Sequence, residues 1–535
     1  MKTLIQNGVV YDGTGAPPRK EDILIVDGVI REVGMPDVPA DRVIDAESKC
    51  VTPGFIDIHR HCDLAALGGE FGTIELSQGI TTTVSGSCGL TPFPSRDGTR
   101  QALSDFLEPC LGRGDPGLKL ESFADYRDRL EHTPRPLNIG GLVGTDSVKI
   151  YLKGFSASPY TPRELEEGRR IIEESMDGGA LGISMGIMYV PECYSTREDL
   201  VRLADAAAKK GGVLTCHIRG EGNSLVESVE EILDVAKRSG IPLNISHFKA
   251  VGPKVWGSGL ARAIEKIEQA RSEGCKVDVD FYPYTGGATT LLSLIPPEFL
   301  EDGLGRALAS LRTEQGRDRL RKMLQKEYEG WDNLVPALGW GRVVITSVTK
   351  PENGKYSGLT VEEITKKFGF RDEVEFVGGL LADEDGKAGI VIMSMTQEDV
   401  DTVAKLDYSM VISDSLYCKT QSPHPRLYGS FPKILRDYVC ERKILTPEKA
   451  VAKMTSMPAR KLGLRGRGVI APGSFADINV FDLEKVRDNA RFGDSKHLST
   501  GMDYVLVNGE VAFRGGSRTG KNSGSVLLHG RDSLR

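Results

Sequence analysis

The sequence predicts an α/β fold: a TIM-like (β/α)8 barrel carrying a small β-sandwich built from both chain ends. Three observations predict it. Eight apolar, β-branched runs occur at 55–59, 81–86, 138–144, 180–186, 213–218, 242–248, 276–284 and 410–415. Several are separated by helical patterns, and strand–helix–strand with short turns implies parallel pairing. Short apolar runs broken by Asn-Gly and Asp-Gly mark the first 52 residues, and a matching texture returns after about residue 465.

Taken in order, residues 1–52 form the first part of the sandwich and 465–535 the second, with the barrel at 53–464. Beyond Gly515 the tail is polar, with 526–528 its only apolar run, and no structure is assigned to it. Within the barrel, Thr161-Pro162-Arg163-Glu164 is a capping box with proline at the first helical position. Leu225, Val229, Ile232, Leu233 and Ala236 recur at helical spacing until Gly240. Leu260, Ile264 and Ile267 do the same, with Gly274 as the stop. The seventh and eighth runs stand far apart, so a helical insertion is expected over the barrel mouth at about 286–340, charged and helical from 293 to 333. An open doubly wound sheet is the alternative fold, but no glycine-rich phosphate loop follows the first strand.

Composition narrows the classes. A net charge of -7 argues against a nucleic-acid partner. No run of eighteen apolar residues exists, and Asn7-Gly8 interrupts any signal-peptide core, so neither a membrane span nor secretion is expected. Nine scattered cysteines suit reduced thiols in the cytoplasm. Oligomeric state is open.

The chemistry concentrates at strand ends. The segment Thr52–Asp63 reads as an apolar strand ending in His59-Arg60-His61. A side-chain period of two puts both histidines on one face and Arg60 on the other, with Asp63 the next residue in phase. The chain has eight histidines, and four of them (His59, His61, His217, His247) end three candidate strands. Cys88 ends the second strand and Asp414 the eighth. Imidazole, thiolate and carboxylate together suit zinc. Each histidine alone would be an ordinary buried ring, and Cys88 alone a small packing residue. Cys62 and Cys216 are out of phase with the histidines and are read as packing.

These residues resemble the amidohydrolase superfamily, and within it the N-acyl-D-amino-acid deacylases. The matching stretches are PGFIDIHRHCD, SGSCG, GALGISMGIMYVP, HIRGEG, ISHFKAVGPKVWG, DFYPYTGGAT, ISDS and SPHPRLYGSFPKIL, with GVIAPGSFADINVFD for the returning strand. Cys88, HFK and SPHPRLYG narrow the superfamily to the deacylases. Cyclic-amide relatives carry a carboxylated lysine at the fourth strand, where Ser184 and Met185 stand here.

The resemblance implies a tight zinc on Cys88, His217 and His247, and a second, often weakly filled metal position on His59, His61 and Asp414. It makes Asp414 the general base and acid, and Lys249, Tyr282 and Arg426 the clamp for the α-carboxylate of a small-molecule substrate. Arg426 follows Asp414 by only twelve residues, so its loop leaves the same barrel mouth. Two departures bear on substrate range: Thr145 and its neighbours after the third strand, and Tyr417-Cys418 after Asp414. The implied activity is hydrolysis of N-acyl-D-amino acids. The alternatives are a cyclic-amide hydrolase or D-residue dipeptidase of the same fold, and a non-catalytic scaffold that would have lost its ligands.

Overall fold

The computed structural model describes residues 1–36, 38–418 and 420–530. Eight parallel strands follow one another around a barrel. They are Phe55–Asp57, Ile80–Ser85, Asn138–Gly141 continued by Val143–Gly144, Gly182–Gly186, Val213–His217, Leu243–Ile245, Val277–Phe281 and Ser409–Val411. Each pairs with the next, for example Thr83 with Ile139, Ile183 with Leu214, and Asp280 with Met410. The ring closes where Ser415–Leu416 pairs parallel with Arg60–His61, and the Asp414 amide donates to the His59 carbonyl at 2.9 Å. Closure thus falls on candidate site residues His59, His61 and Asp414.

The helices form where local signals place them. Pro162–Asp177 starts at a complete Thr161–Glu164 capping box. Leu225–Ser239 ends at Gly240, whose φ of 71° is the left-handed turn that glycine adopts freely. Both bury one apolar stripe against the barrel, in a core that runs from Phe55 to Leu527.

The two chain ends meet in one sheet. Lys2–Gln6, Asp22–Val26, Val29–Gly34 and Arg42–Asp45 form one sheet. A second, seven-stranded sheet runs from Ser517–Arg518 through Glu510–Arg514, Met502–Val507 and Ile478–Phe481 to Cys50–Pro53, Val9–Val10 and Arg19–Lys20. Asp27-Gly28 and Asn508-Gly509 are tight hairpin turns with positive φ at both residues. Asn7-Gly8 is not a hairpin: it passes the chain from the first sheet to the second.

Two expectations need correction. The insertion is not simply helical. Gly286–Thr290, Val343–Ser347 and Gly389–Met393 form an antiparallel sheet, against which helices such as Leu304–Leu311 and Glu373–Asp383 pack in a separate core. All of its strand residues come from outside the charged helical stretch, so 293–333 showed only the helical layer. The tail is also ordered where the sequence offered only a short apolar run. Val526–Leu527 adds parallel to Ile139–Gly140 and so enters the barrel wall between the third and fourth strands. Asn508 and Asn138 hold its start, and Leu527 is buried. Among the described residues, no helix is long and apolar enough to cross a membrane.

Candidate active site

Residues from five strand ends converge at the carboxyl mouth. His59 and His61 both reach the same oxygen of Asp414, at 3.4 and 3.3 Å. Cys88 Sγ lies 3.3 Å from His59 Nε2 and 3.5 Å from His247 Nε2. The His217 and His247 rings stand 4.4 Å apart. Cys88, His247 and Asp414 all have positive φ, at 54°, 37° and 51°. For non-glycine residues this conformation is costly, and it turns each side chain sharply inward as its strand ends.

The candidate ligand atoms fall into three groups, each within 4.8 Å: His59–Cys88–His247, His59–His61–Asp414, and His217–Glu221–His247. The His59–His61–Asp414 set is the one implied for the second metal. Cys88 groups with His247 and His59, while His217 groups with His247 and Glu221. The donor chemistry fits zinc, since imidazole nitrogens, one thiolate and carboxylates crowd into a buried space. The Nδ1 atoms of His61 and His217 make no hydrogen bond among the described residues.

Electrostatics match that chemistry. Burial by itself would raise the Cys88 thiol, but His59, His217 and His247 pull it well below its ordinary value, toward thiolate. Burial would also raise the Asp414 carboxyl, yet the Arg426 guanidinium and His59 hold it well below the usual range. Burial lowers His61, and hydrogen bonding to Asp414 and Cys88 more than reverses this, to about 9.

The three residues expected to bind the substrate carboxylate lie beside the candidate metal ligands. Arg426 starts the helix Arg426–Lys433 and places Nη1 2.7 Å from Asp414 Oδ2. Its guanidinium lies over the Tyr282 ring at 4.8 Å. Lys249 Nζ is 2.5 Å from Glu221 Oε1 and 6.0 Å from the Tyr282 ring centre. One cavity is lined by His61, Cys88, His217, His247, Lys249, Tyr282, Asp414 and Arg426. His59 is not among its lining residues. The insertion supplies part of the opposite wall, including Ala288, Leu334 and Ile392.

The two positions expected to govern substrate range face elsewhere. Thr145 bonds to the Ser184 carbonyl and to Glu192, behind the strand wall. The Tyr417 hydroxyl bonds to Glu75 and accepts from Arg60 on the outward side of the first strand. Leu416, not Tyr417, lines the cavity. Asp63 shares the parity of His59 and His61, but its buried carboxyl, which burial pushes up to about 7, is outside all three ligand groups.

Sequence reasoning passed over three residues. Asp280 accepts from the His247 amide and lies 3.6 Å from His59 Nδ1; its parity with Tyr282 was the available signal. Glu221, in HIRGEG, touches His247 and Lys249. His424 accepts from the Arg426 amide and faces the Gly286 carbonyl, seating the start of the arginine's helix.

Comparison with known proteins identifies relatives over nearly the whole chain. Residues 42–292 and 381–513 match the amidohydrolase family. An N-acyl-D-glutamate deacylase of Alcaligenes xylosoxydans xylosoxydans is 34% identical over 95% of this chain and 93% of its own length. A D-aminoacylase of the same organism is 30% identical over 98% of this chain and 97% of its own. The solved structure of an N-acyl-D-glutamate deacylase from Bordetella bronchiseptica superimposes with a TM-score of 0.82 at 31% identity, covering 98% of this chain and 99% of that one. That protein was captured with zinc and a phosphonate mimic of the tetrahedral intermediate. With its barrel, its histidine–cysteine–aspartate cluster and this degree of likeness, the chain belongs to the amidohydrolase family, among the N-acyl-D-amino-acid deacylases.

Proposed function

We propose that this protein hydrolyses the amide bond of N-acyl-D-amino acids, releasing a carboxylate and a free D-amino acid. The observation that carries the reading is Asp414, which faces two histidines through one oxygen and a guanidinium through the other. One side chain thus adjoins both the metal-ligand cluster and the cation suited to an α-carboxylate.

In this reading Cys88, His217 and His247 hold a tightly bound zinc, and His59, His61 and Asp414 form a second, weaker position. Zinc so bound would polarise the amide carbonyl and acidify water. The chain's own groups do the rest. Arg426 binds the substrate carboxylate through its planar fork, with Lys249 and Tyr282 beside it. Asp414 accepts a proton from the attacking water as the carbon–oxygen bond forms. It returns that proton to the nitrogen as the carbon–nitrogen bond breaks, so the amine departs neutral. The nine cysteines stand as free thiols, in keeping with a reducing compartment such as the cytoplasm.

A release assay on zinc-loaded protein tests the reading, using N-acetyl-D-amino acids, their L enantiomers and dihydroorotate. Release from the D series alone is expected. Ring opening of dihydroorotate without release from either series would keep the barrel and discard the Lys249–Tyr282–Arg426 clamp.

A further inference from the structure

We propose that Glu221 is a positioning residue that fixes the ring of His247 for metal binding and keeps Lys249 from capturing that ring. The inference rests on the metal-ligand role of His247 in the function proposed above. Glu221 belongs to the HIRGEG segment that His217 opens at the end of the fifth strand, and the hydrolytic chemistry gives Glu221 itself no other part.

The geometry is a three-body contact. Glu221 Oε1 lies 3.0 Å from His247 Nδ1 and 2.5 Å from Lys249 Nζ. Lys249 Nζ itself stands 2.7 Å from the same Nδ1 and donates to the His247 carbonyl at 2.7 Å. All three side chains are buried. An ammonium has hydrogens and no lone pair. Two arrangements therefore compete. With the proton on Nδ1, the ring donates to Glu221 and keeps the lone pair of Nε2, which faces Cys88, for a metal. With the proton on Nε2, Nδ1 accepts from Lys249 and the metal-facing nitrogen has no lone pair. The carboxylate decides between them, because it accepts from both neighbours at once and makes the first arrangement the lower in energy.

The loop that presents Glu221 is fixed on both sides. Its carbonyl accepts from the Val251 amide at 2.8 Å. Asp332, from the insertion, accepts from the Gly222 and Ser224 amides at 2.6 and 2.9 Å. A side chain at Gly220 would come within 2.5 Å of that carboxylate, so glycine is what lets the insertion close on the loop. The insertion thereby helps to set the metal ligand as well as the cavity wall.

The test is a metal titration that does not depend on turnover. Cobalt(II) is added to metal-stripped protein and followed by the cobalt–thiolate charge-transfer band of Cys88. Glu221→Ala is expected to weaken binding by about 10–100-fold, the usual loss when a histidine ligand loses its outer partner. Adding Lys249→Met to Glu221→Ala is expected to restore most of that loss, because the competing donor has gone. Glu221→Gln, whose amide oxygen still accepts from Nδ1, is expected to lose less, and it replaces Glu221→Ala in the same comparison if the alanine variant fails to fold. Unchanged cobalt affinity in Glu221→Ala, or a double variant no tighter than the single, would overturn the proposal. If the wild-type protein releases no D-amino acid, the hydrolytic reading fails, while the titration still judges Glu221.

Discussion

Asp414 carries more than one task, and its substitution will show both. It is the expected proton carrier, and it is also the buried partner of Arg426 at 2.7 Å. Asp414→Asn is therefore expected to cut turnover by about 10²–10⁴-fold. It should also cost roughly 3–5 kcal/mol of stability, because a buried guanidinium loses its counter-charge. Steady-state rates and thermal unfolding check the two effects separately. A fully active variant would remove Asp414 from the mechanism. An inactive variant of wild-type stability would show that the Arg426 pair is energetically neutral. The candidate ligands were legible as residue types at strand ends, because imidazoles, a thiol and a carboxylate at such positions have few other uses. Glu221 and Asp280 were not legible. A carboxylate in a polar loop or at a strand end reads the same whether it faces solvent or a histidine, and only the fold brings Glu221 to His247.

At the scale of single elements, the helix Pro447–Met454 shows how a buried charge is accommodated beneath the barrel. Thr446 caps its start, and Lys453, in its last turn, is 2% exposed. The Lys453 ammonium donates to the Ser409 carbonyl and hydroxyl at 3.1 and 2.9 Å and to the Leu406 carbonyl. It thereby ties the foot of the eighth strand to the helix. Burial pushes its pKa down to about 8. The unfolded chain, with an ordinary lysine value near 10.5, then holds the extra proton between about pH 8 and 10.5. Raising pH through that window favours the folded state. The stability difference between wild type and Lys453→Met should accordingly move toward wild type by up to about 3 kcal/mol from pH 8 to 10.5. Denaturant unfolding across that range measures it, and a difference that stays flat would mean that the ammonium is fully solvated by its three acceptors. Helices such as Pro162–Asp177 and Leu225–Ser239 were legible because capping residues and apolar spacing are local. The three-stranded sheet of the insertion was not, since its strands lie far apart in sequence and pair only after the chain folds back.

Across the whole molecule, both termini contribute to the barrel's support. The seven-stranded sheet joins four strands from the C-terminal end to three from the N-terminal end where Ile478–Phe481 pairs with Cys50–Pro53, and Cys50–Pro53 passes directly into the first barrel strand. Val526–Leu527 then fills the gap beside the third strand, with Leu527 fully buried. Leu527→Ala is expected to destabilise the protein by about 2–5 kcal/mol, as a large-to-small core change does. Thermal unfolding of this variant reports the effect. A cost below about 1 kcal/mol would make the tail a surface appendage.

The sequence by itself determined the eight strands, their parallel order and the candidate metal-ligating side chains, because period-two apolar runs, capping boxes and strand-end histidines are encoded locally. The tertiary structure alone decided that Thr145 and Tyr417 face away from the cavity, that Arg426 pairs with Asp414, and that the tail joins the barrel wall. Each of those outcomes depends on which surfaces meet when distant segments pack, and a pairing across hundreds of residues leaves no periodic trace in either partner.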